Sequence, residues 1–338
     1  MAGMNKPLAI KIYHGFGHIH DIVVYGHVFR KYPPFKLSYS GSWFINLRRL
    51  LRLFLLRPVP RIALVLDWQG KQVHSRSSWD GFFRFEWSAS VETTAGWHTV
   101  IVHAVNERGE VIGKGEGKVL ITHRTQYGFI SDVDDTILKS HSGTTLKRLR
   151  ELLFKHPHKR NIFADTARFY RLLAGSYTTP EAPNPFFYIS SSEWNLYDYL
   201  AEIFRHRQFP SGVFLLNQVK RWYSLLKTGK TKHEGKLLRI LRVLEVFPHQ
   251  RFVLLGDNSQ QDPEIYSRFV EKYPGRIVCV YIRNVRPDRT KETAALLESF
   301  QAKGVQSLLF DNTEEAIIHA TRIALIDNRA VDIVTATS

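Results

Sequence analysis

Tyr127-Gly128-Phe129-Ile130-Ser131-Asp132-Val133-Asp134-Asp135-Thr136 runs an apolar stretch straight into three carboxylates within four positions. A short apolar run bounded by polar residues reads as a buried strand, so the acids stand at a strand end. Carboxylates this close repel one another and raise their own pKa values unless a cation sits among them. Mg²⁺ suits that place, because it takes oxygen ligands and keeps waters that a phosphate can replace. One carboxylate can then attack phosphorus while its neighbour moves the proton. The plainer reading of the same residues is a solvated Asp-rich loop.

Downstream, Arg251-Phe252-Val253-Leu254-Leu255-Gly256-Asp257-Asn258-Ser259-Gln260-Gln261-Asp262 is a second apolar strand ending in Gly-Asp, with another Asp five residues on. In a parallel sheet both strand ends face one crevice, where Asp257 can complete a metal shell. Asp262 precedes Pro263, so it is either a further metal contact or the cap of a helix over 263–272. Between the two acidic strands, Phe186-Phe187-Tyr188-Ile189 leads into Ser190-Ser191-Ser192. A hydroxyl and neighbouring N–H groups at that end can hold a phosphoryl oxygen. Ser192 can equally serve as an N-cap for a helix over 194–206. Lys236, near the start of a helical pattern over 234–246, can neutralise the charge of nucleophile and phosphate. Lys232 competes for that role, and a solvated face is the default for either.

These strands belong to a wider alternation. After residue 126, strands over Tyr127–Ser131, Phe186–Ser190, Val213–Leu216, Phe252–Gly256, Ile277–Ile282 and Val305–Phe310 alternate with helical patterns near 144–155, 162–174, 194–206, 234–246, 263–272 and 313–325. That predicts βαβ units and a doubly wound parallel sheet, the α/β class. Residues 1–125 read differently. Short runs such as Ile22–Tyr25, Ile62–Leu66, Phe82–Trp87 and Thr99–His103 are separated by the turn signals Gln69-Gly70, Asp80-Gly81 and Arg108-Gly109. Their spacing predicts a small, antiparallel, sandwich-like all-β domain preceding an α/β domain over 126–338.

Composition narrows the partners. The 338 residues include 47 Lys+Arg against 31 Asp+Glu, a net charge of +16, which draws the protein to polyanions. Residues 1–125 hold 17 basic and 8 acidic residues, so +9 of the excess lies there. Much of it falls in Trp43–Arg57, where Trp43, Phe44, Leu47, Leu50, Leu51, Phe54 and Leu55 share one helical face and Arg48, Arg49 and Arg52 another. This is the pattern of an interfacial membrane contact, or of a helix packed on its own sheet with arginines toward solvent. The stretch 204–242 carries ten Lys/Arg against one Glu, either guiding an anionic surface to the cleft or forming a solvated basic face. A single cysteine, Cys279, excludes an internal disulfide framework and paired-cysteine zinc. It reads as a small buried strand residue. His14, His18, His20 and His27 lack a recognised metal-ligand spacing. There is no secretory-signal pattern at the N-terminus and no run of about 18 apolar residues, so a cytoplasmic, peripherally membrane-associated protein is expected.

The order DxDxT, strand-end Ser, helix-start Lys and GDxxxxD resembles the haloacid-dehalogenase-like phosphatases. YGFISDVDDTI, FFYISSSEWNLYDYL, GKLLRILRVLEVFP and FVLLGDNSQQDPEIY are more closely similar to the actin-patch-protein type phosphatidate phosphatase family, lipin-related in its catalytic motifs, over about residues 126–325. The resemblance implies Asp132 as nucleophile through an aspartyl-phosphate and Asp134 as general acid/base. Thr136 and Ser190 would position phosphate and nucleophile, and Lys236 would neutralise charge. Mg²⁺ would be held by Asp132, the backbone carbonyl of Asp134, and Asp257, with Asp262 as the further candidate ligand. The sequence departs from the family at three places. Gly256-Asp257-Asn258-Ser259 stands for Gly-Asp-Ser-Gly, Gly235-Lys236 for His-Lys, and Glu193 for a proline. Asn258 retains the capacity to bond a metal-bound water.

The function expected is therefore Mg²⁺-dependent hydrolysis of a phosphomonoester, phosphatidate to diacylglycerol at a membrane surface. No large insertion separates the motifs, so the cleft is expected to be open. Alternatives are the same chemistry on a soluble, protein or nucleic-acid phosphomonoester, or a catalytically weak membrane-binding protein.

Overall fold

The computed structural model describes residues 7–33, 52–53, 55–89, 93–123, 126–133, 159–217 and 232–327. Alternating side chains build the first sheet. In Phe82–Trp87, Phe83, Phe85 and Trp87 are buried while Arg84 and Glu86 face solvent, as a period of two requires. The strands are β1 (Leu8–Ile12), β2 (Gly15–His18), β3 (Asp21–Phe29), β4 (Ala63–Trp68), β5 (Lys71–Arg76), β6 (Phe82–Trp87), β7 (Gly96–Val105) and β8 (Val111–Ile121). Gln69 and Gly70 both have positive φ, 49° and 81°, the two-residue turn that matches strand twist in a hairpin.

The sheet runs β1-β3-β2-β8-β7-β4-β5, with β6 also paired to β3. Ser75 Oγ of β5 donates to Arg84 O of β6 at 2.7 Å, so the sheet curls round its own core. The expectation of a purely antiparallel sheet is corrected: β8 pairs parallel with both β1 and β2. The chain passes through β4 to β7 before β8 arrives, so no hairpin imposes the direction of that pairing.

The second sheet is parallel throughout. Its order is β11 (Val213–Asn217), β10 (Phe186–Glu193), β9 (Tyr127–Asp132), β12 (Arg251–Asp257), β13 (Ile277–Arg283), β14 (Gln306–Phe310). Around it lie α1 (Lys159–Gly175), α2 (Tyr197–His206), α3 (Lys232–Val246), α4 (Asp262–Lys272), α5 (Thr290–Gln301) and α6 (Thr313–Arg322). One face packs Phe169, Leu173, Leu200 and Ile317 of α1, α2 and α6; the other packs Ile240, Val243, Phe269 and Phe300 of α3, α4 and α5. Helix α5 was not anticipated, because Ala294 and Ala295 leave few large apolar markers of its period. The helix expected near 144–155 lies outside the described residues. Cys279 is buried in β13, and burial pushes its thiol up to about 12.

The two sheets pack on each other. Tyr13 stacks on Trp194 with ring centroids 4.3 Å apart, and Phe16 meets Phe187 edge-on at 5.5 Å. Lys11 pairs with Asp198, which also accepts from Tyr32 Oη at 2.8 Å. Of the expected amphipathic segment 43–57, residues 43–51 and 54 lie outside the described residues. Arg52 and Leu53 are helical, and Leu53 is buried in the cluster that holds Val133 and Trp194. Leu55 is exposed.

Candidate active site

Strands β9, β10 and β11 extend to one side and β12, β13 and β14 to the other, so the chain reverses its winding between β9 and β12. Ligands in open parallel sheets bind in the crevice at that point, beyond the carboxyl ends of the strands. The residues closing those two strands are Asp132 and Asp257. Pairing of Leu255 with Ser131 brings the two ends level.

Asp132, Asp257 and Asp262 are all buried, and each offers a carboxylate oxygen within 4.8 Å of the others. Lys236 Nζ lies 2.9 Å from Asp132 Oδ1 and donates to Asp262 Oδ1. Burial alone would lower the lysine's pKa, but the carboxylates of Asp132 and Asp262 outweigh it and hold the ammonium well above the ordinary lysine range. Burial pushes Asp262 up to about 6, with Lys236 pulling it down and Asp257 adding to the rise. Three buried carboxylates against one lysine leave an excess of negative charge. The oxygen donor set fits a hard divalent cation.

The local sequence explains each placement. Asp257 Oδ1 accepts the Ser259 N–H at 2.7 Å, closing an Asx turn just past the strand. Asp262 Oδ2 accepts the Asp257 N–H at 3.3 Å. Between them, a Cβ on Gly256 would lie 2.6 Å from Asp262 Oδ2 and 2.9 Å from the Tyr266 ring. Glycine is what lets helix α4 approach this closely. The cap reading of Asp262 is corrected: it sits in the first turn of α4 with its carboxylate in the acidic cluster, and Gln261 holds the N-cap position.

Ser190 is buried and follows Ile189, the register partner of Asp132. Its Oγ accepts the Ser192 N–H at 3.0 Å. Ser192 is not the helix cap, because the chain enters a 3₁₀ turn over Trp194–Leu196 with Glu193 at its N-cap and no side-chain bond. Asp134 and Thr136 lie outside the described residues, as do residues 218–231 of the basic stretch and the side chain of Lys232.

The Asn258 expectation is also corrected. Its Nδ2 donates to Asn284 Oδ1 (2.8 Å) and Arg286 O (3.0 Å), and its Oδ1 accepts from Val285 N (2.7 Å) and Arg286 N (2.8 Å). A carboxamide used on both sides clamps the 284–286 loop instead of facing a metal-bound water. Arg283 is a neighbour that sequence reasoning missed. It is buried at the end of β13, in register with Asp257, and donates to Thr166 Oγ1 (3.0 Å) and Thr313 Oγ1 (2.8 Å). A charged residue ending an apolar strand was its visible signal, the same signal that marked Asp132 and Asp257.

The four N-terminal histidines do not gather. His14 Nδ1 bonds Gly212 O at 2.8 Å and His27 Nδ1 bonds Tyr13 Oη at 3.0 Å. His18 and His20 line a separate cleft with His123 and His249. Among the described residues, the aspartate triad is the group placed to hold a metal.

The fold and the triad define a parallel α/β protein with a carboxylate–lysine site at its switch point. Residues 127–284 match the family model described as phosphatidate phosphatase APP1, catalytic domain. The phosphatidate phosphatase APP1 of Saccharomyces cerevisiae is 28% identical over 158 residues, 46% of this chain and 25% of the yeast protein. An uncharacterized protein of Schizosaccharomyces pombe is 24% identical over 213 residues, 60% of this chain and 34% of that protein. The chain thus spans between a quarter and about a third of the length of these curated relatives. Among solved structures, a carbohydrate acetylesterase from Xanthomonas citri aligns with a TM-score of 0.30 and 10% identity over 88% of this chain and 66% of that one. That likeness bears on neither fold nor chemistry.

Proposed function

We propose that this chain is a Mg²⁺-dependent phosphatidate phosphatase with a haloacid-dehalogenase-like domain over 126–338 behind a β-rich domain over 1–125. The observation that carries the reading is Lys236 bridging Asp132 and Asp262 beside Asp257. Three buried acids held at one point, with a single lysine among them, suit a site built for a metal and a phosphate. The family match over 127–284 supports phosphatidate as the substrate.

Asp132, Asp257 and Asp262 would hold the Mg²⁺, together with the backbone carbonyl of Asp134. When bound, the ion supplies positive charge for the phosphoryl oxygens and lets the carboxylates ionise together. A carboxylate oxygen of Asp132 attacks phosphorus, and the phosphorus–oxygen bond to the diacylglycerol breaks. The departing alkoxide takes the proton of the Asp134 carboxyl. Water, deprotonated by Asp134, then attacks the phosphorus of the aspartyl-phosphate. The bond to Asp132 breaks, inorganic phosphate leaves, and both side chains return to their starting states. Lys236 balances charge on Asp132 throughout, while Ser190 and Thr136 position the phosphate.

The test is phosphate release from phosphatidate in mixed micelles with Mg²⁺, against lysophosphatidate and a water-soluble aryl phosphate at matched concentration. Phosphatidate should be preferred, and Asp132→Asn should lose activity about 10³-fold or more. Undiminished turnover in that variant would sink the mechanism, and preference for the aryl phosphate would sink the substrate.

A further inference from the structure

Trp79 is 75% exposed and Leu55 65% exposed, on two segments that the backbone ties together. Val28 N donates to Gly81 O at 2.9 Å, Val59 N to Val28 O at 2.8 Å, and Arg30 N to Arg57 O at 3.0 Å. Residues 28–31, 52–53, 55–59 and 78–81 therefore form one end of the β-rich sheet. Arg30, Lys31, Arg52 and Arg57 are exposed on it. The acid in these stretches, Asp80, turns its carboxylate onto its own loop, where Oδ1 accepts the Phe82 N–H at 3.1 Å.

This end also packs against the parallel α/β half. Leu53, two residues before Leu55, is buried in the large core cluster that also contains Val133. Tyr32, next to Lys31, donates to Asp198 at the start of α2, just beyond the serine loop. The segment is thus held by the buried Leu53 while Arg52, Leu55 and Arg57 are exposed.

From this juxtaposition we infer that Trp79 and Leu55, with the exposed Arg30, Lys31, Arg52 and Arg57 on the same end, are the surface by which the protein docks on an anionic lipid bilayer. The inference rests on the reading of phosphatidate as substrate and names the face that brings the site to it. Tryptophan and leucine leave water for the headgroup boundary, where the indole keeps its polar edge wet. The basic side chains are complementary to an anionic leaflet, and their attraction is screened by salt. No helix among the described residues is long and apolar enough to cross a membrane, so contact of this kind is by a surface.

The experiment is co-sedimentation of the full chain with phosphatidylcholine vesicles, with and without phosphatidylglycerol, an anionic lipid that is not the proposed substrate. Wild type should sediment with the anionic vesicles and be released by high salt. The double variant Trp79→Ser, Leu55→Ser should bind about tenfold more weakly, while Trp79→Tyr retains most binding. Thermal melts of the variants should match wild type, as expected for exposed side chains. Equal binding by the double variant overturns the inference, as does retention by duplex DNA without retention by vesicles. Docking that depends on Trp79, in a protein releasing no phosphate from phosphatidate, supports this surface and refutes the substrate. Phosphate release from phosphatidate with vesicle binding indifferent to Trp79 and Leu55 does the reverse.

Discussion

Lys236 Nζ stands 2.9 Å from Asp132 Oδ1, joining a helix of one face of the parallel sheet to the end of its central strand. Both groups are buried, so neither charge has bulk water to fall back on. Replacing Lys236 with Met strands Asp132 and Asp262 beside Asp257. Metal-free stability at neutral pH should drop by about 3 kcal/mol, the scale for breaking a buried pair. Mg²⁺ should restore part of it, since a cation replaces the lost charge. Urea denaturation with and without Mg²⁺ measures both.

The triad should respond to metal directly. Mg²⁺ that binds the folded chain raises its melting temperature by mass action. Wild type is expected to shift upward with millimolar Mg²⁺, and Asp257→Asn to lose that shift while folding normally. A thermal scan with Mg²⁺ and with chelator reads this without reference to turnover.

Asn258 makes four hydrogen bonds to residues 284–286. Asn258→Ala leaves Val285 and Arg286 amides without that acceptor, at about 1 kcal/mol for each bond net. Stability should fall by about 4 kcal/mol in urea titration. Activity should fall as well, because the same turn carries Asp257.

His27 gives the pH dependence. Burial presses its pKa from 6.5 down to about 4, and its Nδ1 is bonded to Tyr13 Oη at 3.0 Å. The folded pKa lies below the unfolded one, so the unfolded chain binds the proton first. The contribution is complete above about pH 6.5 and is lost as pH falls toward 4, reaching about 2 kcal/mol at pH 5. Urea midpoints at pH 7 and pH 5 should converge in His27→Gln relative to wild type. His14, pressed by burial to about 4, adds in the same direction.

Much of the site was legible before any coordinates. Asp132 and Asp257 stood out because a carboxylate closing an apolar strand is costly without a purpose, while Lys236 was one of two candidates, with Lys232, near the start of a helical pattern. Arg283 carried the same signal, a charged residue closing an apolar strand. Asn258 read as a metal-site residue by its place next to Asp257. Its partners lie 26 to 28 residues away in sequence, beyond the reach of local pattern.

Sequence alone determined the alternation of strand and helix, the acids at two strand ends and the split between a β-rich and an α/β half. Period and composition are properties of a few neighbouring residues, so they survive without tertiary context. The fold decided the rest. It set β9 beside β12, turned Asp262 from a plausible cap into a partner of Lys236, ran β8 parallel to β1 and β2, and divided segment 43–57 into a buried Leu53 and an exposed Leu55. Each of these depends on contacts between residues far apart in the chain, whose free energy exists only once both sheets have assembled.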